Sequence, residues 1–269
     1  MHRYHLPALL LTLLLLAGCA ANPTAGPVST AQTEPLPAAT EDFYGCRAEP
    51  LGSISKKELT QRFLRAREDG ARDGYIPVVV CVNDTLTELL DYYFETAGGP
   101  EAYAEAVLQN EGPDGSTVLE ARYAELEALI GADYLAVRDD EIEAAGRGKQ
   151  TRFPSVLPGS GEKYLVQVPV EQPWEIFARI PFCGWNSCPE VDEMISVCRY
   201  WNERYRAVPA MISYDMLILY LPEPVTDLET AKALAKEQVA FCDGVFEAGG
   251  PGFYAAAVLD SNFWSFWWD

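Results

Sequence analysis

"AVPAMISYDMLILYLPEP" (207–224) holds two apolar, strand-forming runs in close succession. Residues 207–215 and 216–224 read as the two strands of a hairpin, because β-branched and long apolar side chains suit a pleated, half-buried surface. A hairpin is antiparallel by construction, so this sheet is not built from βαβ crossovers alone.

The flanks are helical. Upstream, "GWNSCP" (184–189) reads as a turn that opens a helix, with Ser187 or Cys188 as cap and Pro189 where a helix tolerates proline. Glu190, Asp192 and Glu193 fill its first turn, and Arg199, Arg204 and Arg206 fall towards its last, as the helix dipole favours. Val191, Ile195 and Cys198 mark its buried face. Downstream, Thr226 with Glu229 reads as a capping box for a helix running to Cys242. Gly249, Gly250, Pro251 and Gly252 break the chain before a short helix at 253–259.

Further upstream the period is two over "KYLVQVPVE" (163–171) and "PWEIFARIPF" (173–182), and both read as strands. "YIPVVVCVND" (75–84) reads as a strand buried on both faces, followed by a helix capped by Asn83 or Asp84 that stops at Gly98. Ser55 with Glu58 caps an earlier helix whose inner face is Leu59, Phe63 and Ala66. Helices are also expected over 101–109 and 117–131, and a long polar surface connection over 139–161 with room for strand or helix fragments inside it. Strands and helices mix without strict alternation. The fold class is therefore α+β: a mixed, largely antiparallel sheet with helices packed on it, in a single globular region. Its N-terminal helical and mixed part covers 43–160 and its C-terminal core 161–269.

Residues 1–18 form a leader. Arg3 supplies a positive start, and the apolar run over 6–16 is shorter than the roughly 20 residues a membrane span needs. Leu16-Ala17-Gly18-Cys19 then resembles a bacterial lipobox, which makes Cys19 the lipidation site. Residues 19–42, rich in Pro, Ala and Thr, read as a lipid-anchored disordered tether spanning about 25 Å as a coil. The expected location is the extracytoplasmic face of the cell membrane, with the membrane itself as a partner through the anchor.

Composition narrows the chemistry. The net charge is −20, and removing the leader, with its one Arg and no acid, makes it −21. Such a chain is a poor ligand for nucleic acid, and none is expected as a partner. His2 and His5 are the only histidines, so the region after the leader cannot run Ser-His-Asp or Cys-His chemistry or build a His-ligated zinc site. No cofactor or metal is expected. Six cysteines remain beyond Cys19, and among their 15 pairings Cys183 with Cys188 is the one that sequence separation favours as a disulfide.

Several blocks together resemble the bacterial family catalogued as domain of unknown function 4253. They are "IPFCGWNSCP" (180–189), "RYWNERYRAVPAMISYD" (199–215), "ALAKEQVAFCD" (233–243) and the closing "FWSFWWD" (263–269). The family implies no reaction. It does imply that Phe263, Trp264, Phe266, Trp267 and Trp268 are a fixture and not a tail. Such side chains can each bury about 150–250 Å², so they are expected to pin the end of the chain into the core.

The candidate binding residues are Trp185 and Asn186, in a turn at a helix N-terminus, together with Glu237, Gln238, Asp243 and Asp269. If Asp243 and Asp269 gathered beside Glu237, they would form an oxygen-ligand cation site or an acid–base pair. No catalytic residue is assigned. The preferred reading is a membrane-anchored, non-catalytic interaction or ligand-binding module for a protein or small molecule. The alternatives are a carboxylate-based hydrolase of cell-surface substrates and an acidic immunity or inhibitor-type protein.

Overall fold

The computed structural model describes residues 41–155, 161–182, 185–242 and 249–268. It contains a seven-stranded sheet in the order β1-β2-β4-β3-β5-β6-β7. The strands are β1 (Glu41–Phe43), β2 (Cys46–Pro50), β3 (Ile76–Val82), β4 (Glu162–Val168), β5 (Val208–Ile212), β6 (Met216–Tyr220) and β7 (Phe263–Trp267). Only β3 against β5 is parallel; every other neighbouring pair is antiparallel. This is the expected α+β arrangement. The hairpin at 207–224 is its β5–β6 pair. Pro209 lacks a donor inside this central strand, and the register shifts between Pro209 and Met211 to accommodate it.

Helices cover both faces of the sheet. On one side lies α1 (Lys56–Asp73), capped by Ser55 Oγ, which accepts from the Glu58 N–H at 3.2 Å. Its Leu59, Phe63 and Ala66 pack on Val79 and Cys81 of β3, Ile218 of β6 and Phe263 of β7. On the other side are α2 (Asp84–Ala97), α3 (Pro100–Gln109), α4 (Gly115–Ile130), α5 (Ala132–Leu135), α6 (Asp139–Ala145) and α7 (Ile176–Arg179). They are joined there by α8 (Val191–Tyr205), α9 (Leu228–Phe241) and α10 (Pro251–Val258). That face buries Val78 and Val80 of β3 with Trp264 and Phe266 of β7. Alternate residues of β3 thus enter opposite cores, as its unbroken apolar run requires.

Four local expectations need correction. Residues 173–182 are not a strand. Pro173–Glu175 form a 3-10 turn in which the Gln172 side chain and Glu175 cap each other, and α7 follows. The cap of α8 is Glu190, not Ser187 or Cys188. Asp227 caps α9 in place of Thr226, accepting from the N–H and hydroxyl of Thr230 at 2.8 and 2.7 Å. The connection at 139–161 is not wholly superficial, because Ile142 and Phe153 are buried. Among the described residues, no helix is long and apolar enough to cross a membrane.

The terminal aromatics are core. Strand β7 pairs with β6 from Met216 opposite Trp267 to Tyr220 opposite Phe263. Phe263, Trp264, Phe266 and Trp268 are all at most 3% exposed, while Ser265 faces solvent. Phe266 stacks on Trp201 of α8 at 5.5 Å between ring centroids, and Phe241 of α9 meets it edge-on at 5.0 Å.

Candidate functional site

Glu237 and Gln238 are neighbours on α9, yet they serve two different cavities. Glu237 accepts from the Tyr200 hydroxyl at 2.9 Å and from the Trp201 indole N–H at 2.8 Å, both on α8. Burial pushes its carboxyl up from the ordinary 4.5, while those two hydrogen bonds and nearby Arg204 pull it back down. Burial, reinforced by Glu237, pushes the Tyr200 hydroxyl up to about 12. A pocket of about 230 Å³ opens above this pair, lined by Ser116, Glu120, Tyr123 and Lys236 among others.

Gln238 lies on the side facing α10 and β7. It is 2% exposed and helps line a pocket of about 470 Å³, within the size range of small-molecule sites. The other walls come from 145–150, 253–258 and 263–265, with Pro154. These segments are stitched together locally. The Gly148 N–H donates to the Ala256 carbonyl at 2.9 Å, and a Cβ at Gly148 would collide with the Ala257 carbonyl. Glycine therefore permits the close approach of this loop to α10. The Gln150 N–H donates to the Ser261 hydroxyl at 3.0 Å, which in turn donates to the Ala257 carbonyl at 2.6 Å. Arg147 pairs with Asp260 at 2.8 Å.

Two buried donors on residues lining this pocket have no partner: the Gln238 side-chain Nε2 and the Trp264 indole Nε1. The Trp268 indole N–H in the same core, the Ser196 hydroxyl and the Arg179 Nε are unpartnered as well, whereas two other indoles are satisfied. Trp201 donates to Glu237, and Trp267 donates to Asp215 at 2.9 Å. Leaving a buried donor unpaired costs about 1–3 kcal/mol.

The remaining candidates are placed as follows. Trp185 is half-buried and stacks on Tyr214 of the β5–β6 turn at 6.4 Å, and Asn186 has a left-handed φ of 51°. Arg122 of α4 holds this turn. It donates to the Ser187 carbonyl, to the Ala240 carbonyl at 3.0 Å, and to Glu193 at 3.3 Å. The first turn of α8 carries Asp192 and Glu193 beside the Glu190 cap, a poor setting for an anion. The structure does not bring Trp185 into either pocket. Asp243, Asp269, Cys183 and Cys19 lie outside the described residues. Among the described residues no three acids, cysteines or histidines converge to hold a metal. Cys188 is disulfide-bonded, Cys46, Cys81 and Cys198 are buried free thiols, and the buried Cys242 thiol donates to the Trp267 carbonyl at 3.0 Å.

Sequence reasoning missed Trp264 as a site residue, along with Arg122 and Asp215. Asp215 is 5% exposed and accepts from the Ser213 hydroxyl at 2.7 Å as well as from the Trp267 indole. Nothing in the sequence relates Gln238 to Trp264, which line one pocket in the folded protein.

The fold and pocket together define an α+β domain with a small-molecule-sized cavity beside its terminal edge strand. Residues 164–269 match the family described as Domain of unknown function (DUF4253). No curated protein and no solved structure matches the chain. The matched segment contributes Gln238, Trp264 and the α10 residues Phe253, Tyr254, Ala256, Ala257 and Val258 to the larger pocket.

Proposed function

We propose that the protein is a lipid-anchored, extracytoplasmic and non-catalytic ligand-binding module. The anchor rests on the lipobox at Cys19 and on a tether that ends before β1 begins at Glu41. The observation that carries the binding reading is the 470 Å³ pocket walled by α10, β7, Gln238 of α9 and the 145–150 segment. Its described lining includes no Asp, Glu, Lys or Cys to act as acid, base or nucleophile. A thermal-shift screen of the full chain carrying Cys19→Ser, against a library of small amphipathic molecules, tests it. At least one compound should raise Tm, and Trp264→Phe should lower that gain. A screen with no such compound would rule the binding reading out. Fractionation tests the anchor: wild-type chain should pellet with membranes and Cys19→Ser should not.

A second reading has one supporting observation. Glu237 is a half-buried carboxyl, raised by burial, at the base of the 230 Å³ pocket, and such a group suits general acid work. If the protein hydrolyses cell-surface substrates, Glu237→Gln should abolish turnover without unfolding the chain. The inhibitor reading rests on the charge of −20 alone.

A further inference from the structure

We infer that the smaller cavity is a second binding site, one that takes a small alkyl- or arylammonium ion with its nitrogen on Glu237. The site is separate from the larger pocket and stands or falls without it. It also gives Glu237 the part of an ionised receptor in place of an acid. The floor of the cavity offers acceptors. Glu237 is held by two neutral donors, the Tyr200 hydroxyl at 2.9 Å and the Trp201 indole at 2.8 Å. Among the described residues no Lys or Arg pairs with it, and the nearest cation, Arg204, lies over the Tyr200 ring instead. The two bonds use two of its roughly four lone-pair directions. Tyr200 spends its proton on Glu237, so its oxygen too can only accept. An ammonium brings donors and no acceptor, the complement of this floor.

Two other sunken carboxylates show what sets Glu237 apart. Glu49 already has Arg62 at 2.7 Å. Asp215 rests on neutral donors as Glu237 does, but it lines neither cavity. Burial opposes the bare Glu237 anion, and a bound cation would offset that cost. The walls suit the rest of such a ligand. Leu119, Tyr123 and Tyr200 give apolar and aromatic surface, and the Tyr200 ring already attracts the Arg204 guanidinium at 5.2 Å. At about 230 Å³ the cavity is below the roughly 300–1,000 Å³ of drug-sized sites, so the ligand is small.

Competing occupants fit less well. A calcium ion takes roughly six to eight oxygens, and no three metal-binding groups converge among the described residues. An anion would face Glu237 and Glu120 with Lys236 alone to offset them. The two rim charges, Glu120 and Lys236, are both exposed and oppose each other, so they make predictions of opposite sign. Removing Glu120's charge should weaken an ammonium ligand, and removing Lys236's should strengthen it. The chain's net charge of −20 also raises the local concentration of cations.

The experiment is calorimetric titration of the full chain carrying Cys19→Ser. The probes are benzylamine and butylamine, with benzyl alcohol and butyrate as neutral and anionic counterparts. Both amines should bind, and the counterparts should bind at least about tenfold more weakly. Glu237→Gln should weaken the amines by about tenfold or more, Glu120→Gln should weaken them about threefold, and Lys236→Gln should strengthen them about threefold. Asp140→Asn, an exposed acid outside the cavity, should change nothing. Phe253→Ala, which alters only the larger pocket, should also leave amine affinity unchanged. Absence of amine binding at millimolar concentration, or equal binding of benzyl alcohol, would overturn the assignment and leave the larger-pocket reading to its own screen. A loss in Asp140→Asn as large as in Glu120→Gln would mean diffuse attraction to an acidic surface, and a loss in Phe253→Ala would put the amine in the other pocket; either overturns it. If Glu237→Gln fails to fold, Lys236→Gln decides, because an unchanged or weakened amine affinity there is incompatible with a cation in this cavity.

Discussion

Glu237 carries a carboxyl into a partly dry setting and keeps it there with donors from Tyr200 and Trp201. Its folded-state titration lies above the ordinary 4.5 because burial opposes the charge. The folded protein thus binds the proton more tightly than the unfolded chain does. The contribution of this group to stability is fully present below about 4.5 and is lost as pH rises through the folded value. Other carboxylates titrate in the same range, so only a comparison with Glu237→Gln isolates the effect. Urea unfolding at pH 4 and pH 7 should show that Glu237→Gln costs less at pH 7. A larger cost at pH 7 would mean that the anion is the favoured form. The cysteines give a second residue-level expectation. Burial pushes Cys46 and Cys81 up to about 11 and raises Cys198 further, so little thiolate exists near neutrality. Iodoacetamide at pH 8 should leave these thiols unmodified until the protein is denatured. Peptide mapping without reduction should recover Cys188 cross-linked, and Cys183 is the partner we expect. Arg122 is the remaining test at this scale, since it ties α4 to the Trp185 turn, α8 and α9. Arg122→Ala should cost about 2 kcal/mol in urea unfolding, and Arg122→Lys should recover little, because one ammonium cannot span three acceptors.

Strand β7 shows at the scale of an element why a chain end can be indispensable. Phe266 lies between Trp201, Phe241 and Trp268, and its neighbour Ser265 faces out. Phe266→Ala should cost about 3–5 kcal/mol, while Ser265→Ala should stay within about 0.5 kcal/mol. Denaturant midpoints of the two variants would measure this directly, and similar midpoints would show that β7 is not docked. The elements whose sequences carry one clear period were legible: α1 with its Ser55 cap, β3 with its unbroken apolar run, and the β5–β6 hairpin. The segment at 173–182 was not. Ile176, Phe177, Ala178, Ile180 and Phe182 are all buried, so apolar residues recur at one-, two- and four-residue spacings, and period cannot separate helix from strand. What decides is the Gln172–Glu175 mutual cap, a polar signal that the alternation hid. Strands β1 and β2 are short, β1 pairing with β2 and β2 with β4, and show no alternation to read. The pocket donors were half legible. Gln238 stood out as a polar residue on an apolar helix, but Trp264 reads as one more core aromatic until its indole is found without an acceptor.

The sheet order carries a consequence for the whole described region. Strand β3, at 76–82, lies between β4 and β5, yet it comes from outside the segment 164–269 that carries the family match. It pairs with β4 over seven residues and runs parallel to β5 beside it. Without β3, both β4 and β5 would present a free edge where the sheet now has its centre. The side chains confirm the dependence: Val78, Val79, Val80 and Cys81 are all 0% exposed and reach both cores. Removing four such side chains from a core far exceeds the roughly 5–15 kcal/mol by which domains are stable. Newly exposed strand edges would also template association between copies. Residues 161–269 expressed alone should therefore be aggregated or unfolded, with no cooperative melt by circular dichroism. Co-expression with 41–160 should restore a soluble complex with a single transition. A fragment 161–269 that melts cooperatively on its own would show that the C-terminal part forms a different sheet, in which β4 and β5 close the gap between themselves.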